Sequence, residues 1–283
     1  MTEIASGKEL AEEIKADVRK RTGELVGGPP CLCVVLVGED PASLVYVRGK
    51  GRAAKACGIE SRELRLPATV REAELLRVID DLNRDPGVHG ILVQLPLPDH
   101  LDPARVAFAL DPEKDVDGLH PVNSGRLLAN EPGFVPCTPL GCLYILDRHH
   151  VQIEGANAVV IGRSEIVGKP VSLLLLHRNA TVTICHSRTR ELADIARRAD
   201  ILVAAVGRPQ MVKGDWIKPG AAVIDVGVNR VDGALIGDVD FAAANGRAGL
   251  LTPVPGGVGL LTVAMLLRNT LQAFEAQAAL RRK

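Results

Sequence analysis

Short apolar segments and amphipathic stretches alternate along almost the whole of this chain, and that alternation admits few folds. Residues 31–37 and 90–95 are apolar runs short enough for strands covered on both faces, the second closed by Pro96 and Pro98. Helical stretches lie around them. Residues 6–25 carry Leu10, Ile14, Val18 and Leu25 on a helical period, 43–57 is a second helix, and 69–83 a third, with Thr69 as N-cap and Glu72 three residues on. Residues 59–66 read as a strand. Such alternation implies a parallel sheet flanked by helices.

A Pro/Gly/Asn-rich stretch, 111–139, interrupts the pattern and reads both as a functional segment and as a junction between domains. A second alternating set follows, with strands at 158–161, 181–184, 201–206 and 223–226 and helices between them. A last helix, 261–280, is entered through the Pro/Gly-rich segment 252–259. The expected organisation is two α/β domains, 1–118 and 119–283, with the last helix packing back on the first; each domain is large enough to bury its own core.

Composition removes several function classes. Lys plus Arg total 34 and Asp plus Glu total 34, so no basic excess draws the chain to nucleic acid or an anionic membrane. Aromatic residues are only 2%, too few for base-stacking platforms. No apolar run approaches the ~20 residues of a membrane span, and the N-terminus lacks an apolar signal core. The cysteines, several inside apolar runs, fit no common zinc spacing, so neither a metal site nor a disulfide is expected. A cytoplasmic protein is the expectation.

The apolar strand 158–161 ends in Gly162-Arg163-Ser164-Glu165-Ile166-Val167-Gly168-Lys169-Pro170, and 171–177 continues as a helix. Strand, glycine-bearing turn and helix together aim free backbone N–H groups at a phosphate. Five residues separate the glycines and Pro170 follows Lys169, so the turn is not a nucleoside-triphosphate loop. The same glycines also suit simple close packing of strand on helix. An NAD site places a carboxylate at the end of the next strand; here Cys185-His186-Ser187-Arg188 stand there, with no acid before Glu191. Arg163 with Ser187 and Arg188 would instead neutralise a 2′-phosphate, which favours NADP.

In the first half, Tyr46 and Lys50 are four apart on one helix face, Gln94 closes an apolar strand, and Asp117 lies in the irregular stretch before Gly118. Each has an ordinary reading as a solvated face, a strand-end hydrogen bond or a turn residue. As a set they suggest more. A cleft lysine beside a neutral amide can have its pKa lowered far enough to move protons near neutrality.

Tyr46-x-x-x-Lys50, Val93-Gln94-Leu95-Pro96-Leu97-Pro98, Lys114-Asp115-Val116-Asp117-Gly118, Pro136-Cys137-Thr138-Pro139, the Gly162–Pro170 turn, Asp225-Val226-Gly227 and Pro253-Val254-Pro255-Gly256-Gly257-Val258-Gly259 follow one another in this order. Together they resemble the bifunctional methylenetetrahydrofolate dehydrogenase/methenyltetrahydrofolate cyclohydrolase family, over essentially the whole chain. The resemblance implies two α/β domains, the second a Rossmann-like parallel sheet, with folate in a cleft between them, and a homodimer. It implies Lys50 as the proton-transfer residue, Gln94 as its tuning partner, Asp117 on the pterin N–H groups, Tyr46 stacked on the folate rings, and Pro255, Gly256 and Gly257 bordering both ligands. NADP would be held among Gly162, Arg163, Ser164, Ile166, Val167, His186, Ser187, Arg188, Gly207, Asp225, Val226 and Gly227. The family follows Gly-Val-Gly with Pro-Met, where this chain has Leu260-Leu261.

Overall fold

The structure, a computed structural model, describes residues 1–281. The chain opens with β1 (Glu3–Ile4) and α1 (Gly7–Gly23), then β2 (Cys31–Val37), α2 (Pro41–Ala56), β3 (Glu60–Leu66), α3 (Glu72–Arg84), β4 (Gly90–Val93), α4 (Pro103–Ala109) and α5 (Pro121–Leu128). It continues through α6 (Cys137–Arg148), β5 (Asn157–Ile161), α7 (Gly168–His177), β6 (Thr181–Cys185), α8 (Leu192–Ala196), β7 (Ile201–Ala204) and β8 (Ala222–Asp225). The hairpin β9 (Asn229–Val231) and β10 (Ala234–Ile236), α9 (Phe241–Ala244), β11 (Leu250–Leu251) and α10 (Val258–Arg281) complete it. Two compact bodies result: Glu12–Val135 with the chain from Val263 onward, and Met1–Ala11 with Pro136–Thr262.

In the first body a three-stranded parallel sheet has the order β3-β2-β4. Every residue of β2 is buried, as its unbroken apolar run requires of a central parallel strand. Helix α3 buries Leu75, Ile79 and Leu82, one side of its helical period, among Val35, Ile91 and Val106. The Asp111–Asp117 segment lies alongside β4, with Ile91 N–H donating to Lys114 O at 2.7 Å. Helix α10 is tied to the same segment by Asn269 Nδ2, which donates to Val116 O (2.9 Å) and Val135 O (3.2 Å).

Two expectations need correcting here. Helix α3 starts at Glu72 with Arg71 at its cap, and Thr69 does not cap it. Pro67–Val70 form a turn instead (Val70 N–H to Pro67 O, 3.0 Å), which buries Val70 and leaves Thr69 ahead of the helix. The 111–139 stretch is also less irregular than its composition implied. It holds α5, where Pro121 occupies the first turn and His120 Nδ1 accepts the Val122 N–H at 3.0 Å.

In the second body all six strands are parallel, in the order β1-β11-β8-β7-β5-β6. Strand β6 goes to the outer side of β5 and β7 to the other, so the sheet changes its direction of growth at the β5/β7 boundary. In doubly wound sheets a ligand crevice opens beyond the strand C-termini at such a switch point. Val159, Ile161, Leu202, Ala204 and Val223 fill one face of the sheet. The hairpin turns through Asp232 (φ 49°) and Gly233 (φ 81°), both left-handed as a two-residue hairpin turn requires.

All six cysteines are reduced and buried, and burial pushes the Cys33 and Cys142 thiols up to about 12. No helix among the described residues is long and apolar enough to cross a membrane.

Candidate active site

Helix α2 is built to hold Lys50 over the sheet. Asp40 Oδ2 accepts the Ser43 N–H at 2.7 Å, Pro41 supplies the first helical φ, and Ser43, Val47 and Ala54 form the buried side. Lys50, half-buried, donates through Nζ to Gln94 Oε1 at 2.9 Å. Gln94 continues β4, its N–H bonded to Val35 O, and its Nε2 donates to Leu95 O at 2.6 Å. That second bond fixes which end of the amide faces the lysine. The amine therefore meets a neutral acceptor carbonyl, as the pairing in the sequence suggested.

Asp117 ends the segment laid along β4 and lines a small cavity of about 30 Å³ with Leu95, Leu119 and Asp115. Asp115 is fully buried; its Oδ2 accepts from His120 N–H and Asn123 Nδ2, while its Oδ1 has no hydrogen-bond partner. Sequence reading passed over Asp115, although it stands two positions from Asp117. Tyr46 lies one turn before Lys50 and is 54% exposed, an apolar ring left open to solvent.

The Pro255-Gly256-Gly257 loop belongs to the second body. Gly256 has φ 107°, and its carbonyl accepts the Gly7 N–H at 2.7 Å. A Cβ on Gly257 would come within 2.5 Å of Pro253 O, so the loop closes only with glycine there. Helix α10 starts at Val258 without a proline at its head; Leu261 is buried, while Leu260 is exposed.

At the β5/β7 switch point lies a cavity of about 310 Å³. Five expected residues line it: Gly162, Arg163, Ser164, His186 and Ser187. Gly162 has φ 131°, and a Cβ there would stand 2.1 Å from Ala205 O; one on Gly168 would stand 2.3 Å from Gly162 O. The glycines thus allow close packing of strand on helix, and the same closeness shapes the cradle. Ser164 Oγ accepts the N–H groups of Val167 (3.2 Å) and Gly168 (3.3 Å) at the head of α7.

Ile166, Val167, Arg188, Gly207, Asp225, Val226 and Gly227 are not among the residues that line this cavity. Arg188 sits in the turn after β6, its N–H bonded to His186 Nδ1, and Gly207 lies between the lining residues Val206 and Arg208. The Asp225 carboxylate is turned inward, accepting from the N–H groups of Gly227, Asp238 and Val239, each at 2.9 Å. Burial pushes it up to about 6 against the pull of those three donors, with Asp238 adding to the rise.

Sequence reading missed Arg208, a second guanidinium at the cavity, although an arginine in the loop after an apolar strand was a usable signal. None of the lining residues is acidic. Glycines without room for a side chain, two cations and no carboxylate fit a phosphorylated dinucleotide. A cavity of this charge at the switch point of a doubly wound sheet defines a dinucleotide-dependent α/β enzyme.

The comparisons with known proteins are more particular. Residues 5–117 match the tetrahydrofolate dehydrogenase/cyclohydrolase catalytic domain, and residues 136–278 match the NAD(P)-binding domain of the same family. The bifunctional protein FolD 3 of Rhizorhabdus wittichii is 58% identical, covering 98% of this chain and 94% of its own. The crystal structure of the Campylobacter jejuni bifunctional enzyme FolD superposes with a TM-score of 0.96 at 42% identity, over 98% of this chain and 99% of that one. The Trypanosoma brucei dehydrogenase-cyclohydrolase, solved with NADP and an inhibitor, superposes with a TM-score of 0.93 at 41% identity, over 98% of each chain. This chain belongs to the tetrahydrofolate dehydrogenase/cyclohydrolase family.

Proposed function

We propose that this protein oxidises 5,10-methylenetetrahydrofolate to 5,10-methenyltetrahydrofolate with NADP, and then hydrolyses the product to 10-formyltetrahydrofolate, a one-carbon donor of the kind purine assembly consumes. The observation that carries this reading is the 2.9 Å bond from Lys50 Nζ to Gln94 Oε1. NADP, when bound, supplies the hydride acceptor for the oxidation.

The two steps ask different things of the protein. Removing hydride from a carbon between two nitrogens leaves a delocalised cation, so no proton must move. Side chains need only orient the folate: Tyr46 against its rings, and Asp117 accepting from the amino and ring N–H groups. Hydrolysis of the cation needs an activated water and a protonated ring nitrogen, which is general acid–base work. Lys50 serves it because its acceptor is a carboxamide. A carboxylate in that place would hold the amine as a fixed ammonium. On the cofactor side, Arg163, Ser187 and Arg208 meet phosphate charge at the switch-point cavity.

Following NADPH, methenyl and 10-formyl products separately tests the division. Lys50→Met should lower hydrolysis by about 10²–10⁴-fold, the usual contribution of a general acid–base, and leave oxidation within about tenfold. Equal loss of both rates sinks the assignment.

The working form is a homodimer in the cytoplasm. Six reduced cysteines suit a reducing compartment. Strand β3 is the edge of its sheet, and it carries a Glu and an Arg two positions apart on each face, Glu60 with Arg62 and Glu63 with Arg65, each pair self-complementary. Antiparallel pairing with a second copy, centred on Leu64, places Glu63 opposite Arg65 on one face of the joined sheet.

A further inference from the structure

Asp238 is fully buried just beyond β10, and it gathers the loop that follows β7. Its Oδ2 accepts the N–H groups of Val206 (2.6 Å) and Gly207 (2.9 Å), and its Oδ1 accepts that of Arg208 (2.8 Å) and the Asn229 Nδ2 (2.9 Å). Three consecutive amides thus converge on one carboxylate, which needs a left-handed residue among them; Gly207 has φ 64°. Successive N–H groups curved in this way form a nest for an anion, and here the anion is the protein's own.

Asp238 is itself held rigidly. Its N–H donates to Asp225 Oδ1 at 2.9 Å, and Asp225 is fixed by Gly227, Val239 and the Thr252 hydroxyl. The two carboxyls press against glycine backbone. A Cβ on Gly227 would lie 2.3 Å from Asp238 Cγ, and one on Gly237 would lie 1.9 Å from Asp225 Oδ2. The loop they hold is otherwise open, since Gly207 and Arg208 are exposed, yet Val206 and Arg208 line the switch-point cavity.

We propose that Asp238 is a positioning residue for the dinucleotide: its carboxylate sets the 206–208 backbone so that the Arg208 guanidinium faces the cofactor phosphates. The proposal rests on the reading that this cavity takes NADP. Asparagine at 238 keeps one acceptor oxygen and turns an NH₂ toward amides that are themselves donors, so the loop loses its fixed course while the hairpin strands keep their own ladder.

The test is direct titration of the full-length protein with NADP, together with steady-state kinetics and a melting curve. Asp238→Asn should raise the NADP Kd about tenfold, a loss of one strong interaction, with the folate KM and the kcat at saturating NADP changed less than about twofold. Arg208→Ala should weaken NADP comparably without lowering the melting temperature. Asn229→Ala removes the hairpin's bond to the same carboxylate but leaves the three amide bonds, so it should lower the melting temperature and leave the NADP Kd unchanged. An unchanged Kd in Asp238→Asn overturns the proposal, as does an equal loss in Asn229→Ala. Should Asp238→Asn not fold, an unchanged Kd in Arg208→Ala overturns it alone. Failure of the unaltered protein to bind NADP would instead remove the cofactor reading itself.

Discussion

Arg163 is exposed at the mouth of its cavity, on the turn that follows β5, and no acid lines the space it faces. An exposed guanidinium adds little by itself, but one set against a phosphate in a pocket without competing carboxylates forms charge-assisted bonds. It should therefore separate the two nicotinamide cofactors, which differ only in the 2′-phosphate. Arg163→Ala is expected to reduce the NADP-over-NAD preference in kcat/KM by about 10–100-fold, the range for losing hydrogen bonds to a charged group. Parallel kinetics with both cofactors check this; an unchanged ratio refutes the 2′-phosphate role. Arg208, across the same cavity, would retain part of the general phosphate affinity, so NAD binding should suffer less.

The turn from β5 to α7 is pressed against the end of β7. A methyl group on Gly162 would meet the Ala205 carbonyl at 2.1 Å, on a backbone at φ 131° that side chains avoid. Gly162→Ala should cost about 2–5 kcal/mol, combining backbone strain with overpacking, and should abolish NADP binding in whatever remains folded. Denaturant unfolding gives the first quantity and titration the second; a stability within about 0.5 kcal/mol of the unaltered protein contradicts the crowding. The turn and the strands before it were readable because a parallel strand buried on both faces must be apolar throughout, as β2 and β7 are. Strands β1 and β11, two residues each, carry no period at all. The β9–β10 hairpin had its signal in Asp232-Gly233, a turn dipeptide left unread among exposed residues. At the site, Lys50 stood out on a helix face shared with Tyr46, Gln94 at a strand end and Asp117 in the irregular stretch, each by its chemical type. Asp238 could not, because its meaning comes from amides some thirty positions earlier that only the folded sheet brings to it.

Over the whole molecule, the open edge of β3 makes an association prediction. Like charges directly opposite across a strand pair are destabilising. Glu63→Arg should therefore set Arg against Arg65 of the second copy and yield monomers in sedimentation experiments. Adding Arg65→Glu restores opposite charges and should restore the dimer. A single variant that remains dimeric would place the contact elsewhere.

Neither body is a continuous length of chain. Strand β1, made of Glu3 and Ile4, pairs with Leu250 and Leu251, and helices α1 and α10 each contribute residues to both bodies. During synthesis Glu3 and Ile4 must therefore wait, unpaired, until Leu250 and Leu251 have left the ribosome, and the Glu12–Val135 sheet cannot receive α10 before that helix too has emerged. The usual order, in which an N-terminal domain finishes while the next is still being translated, is closed to this topology. No single cut separates the two activities into independent fragments: dividing the chain at Val135 would strip β1 from one piece and α10 from the other.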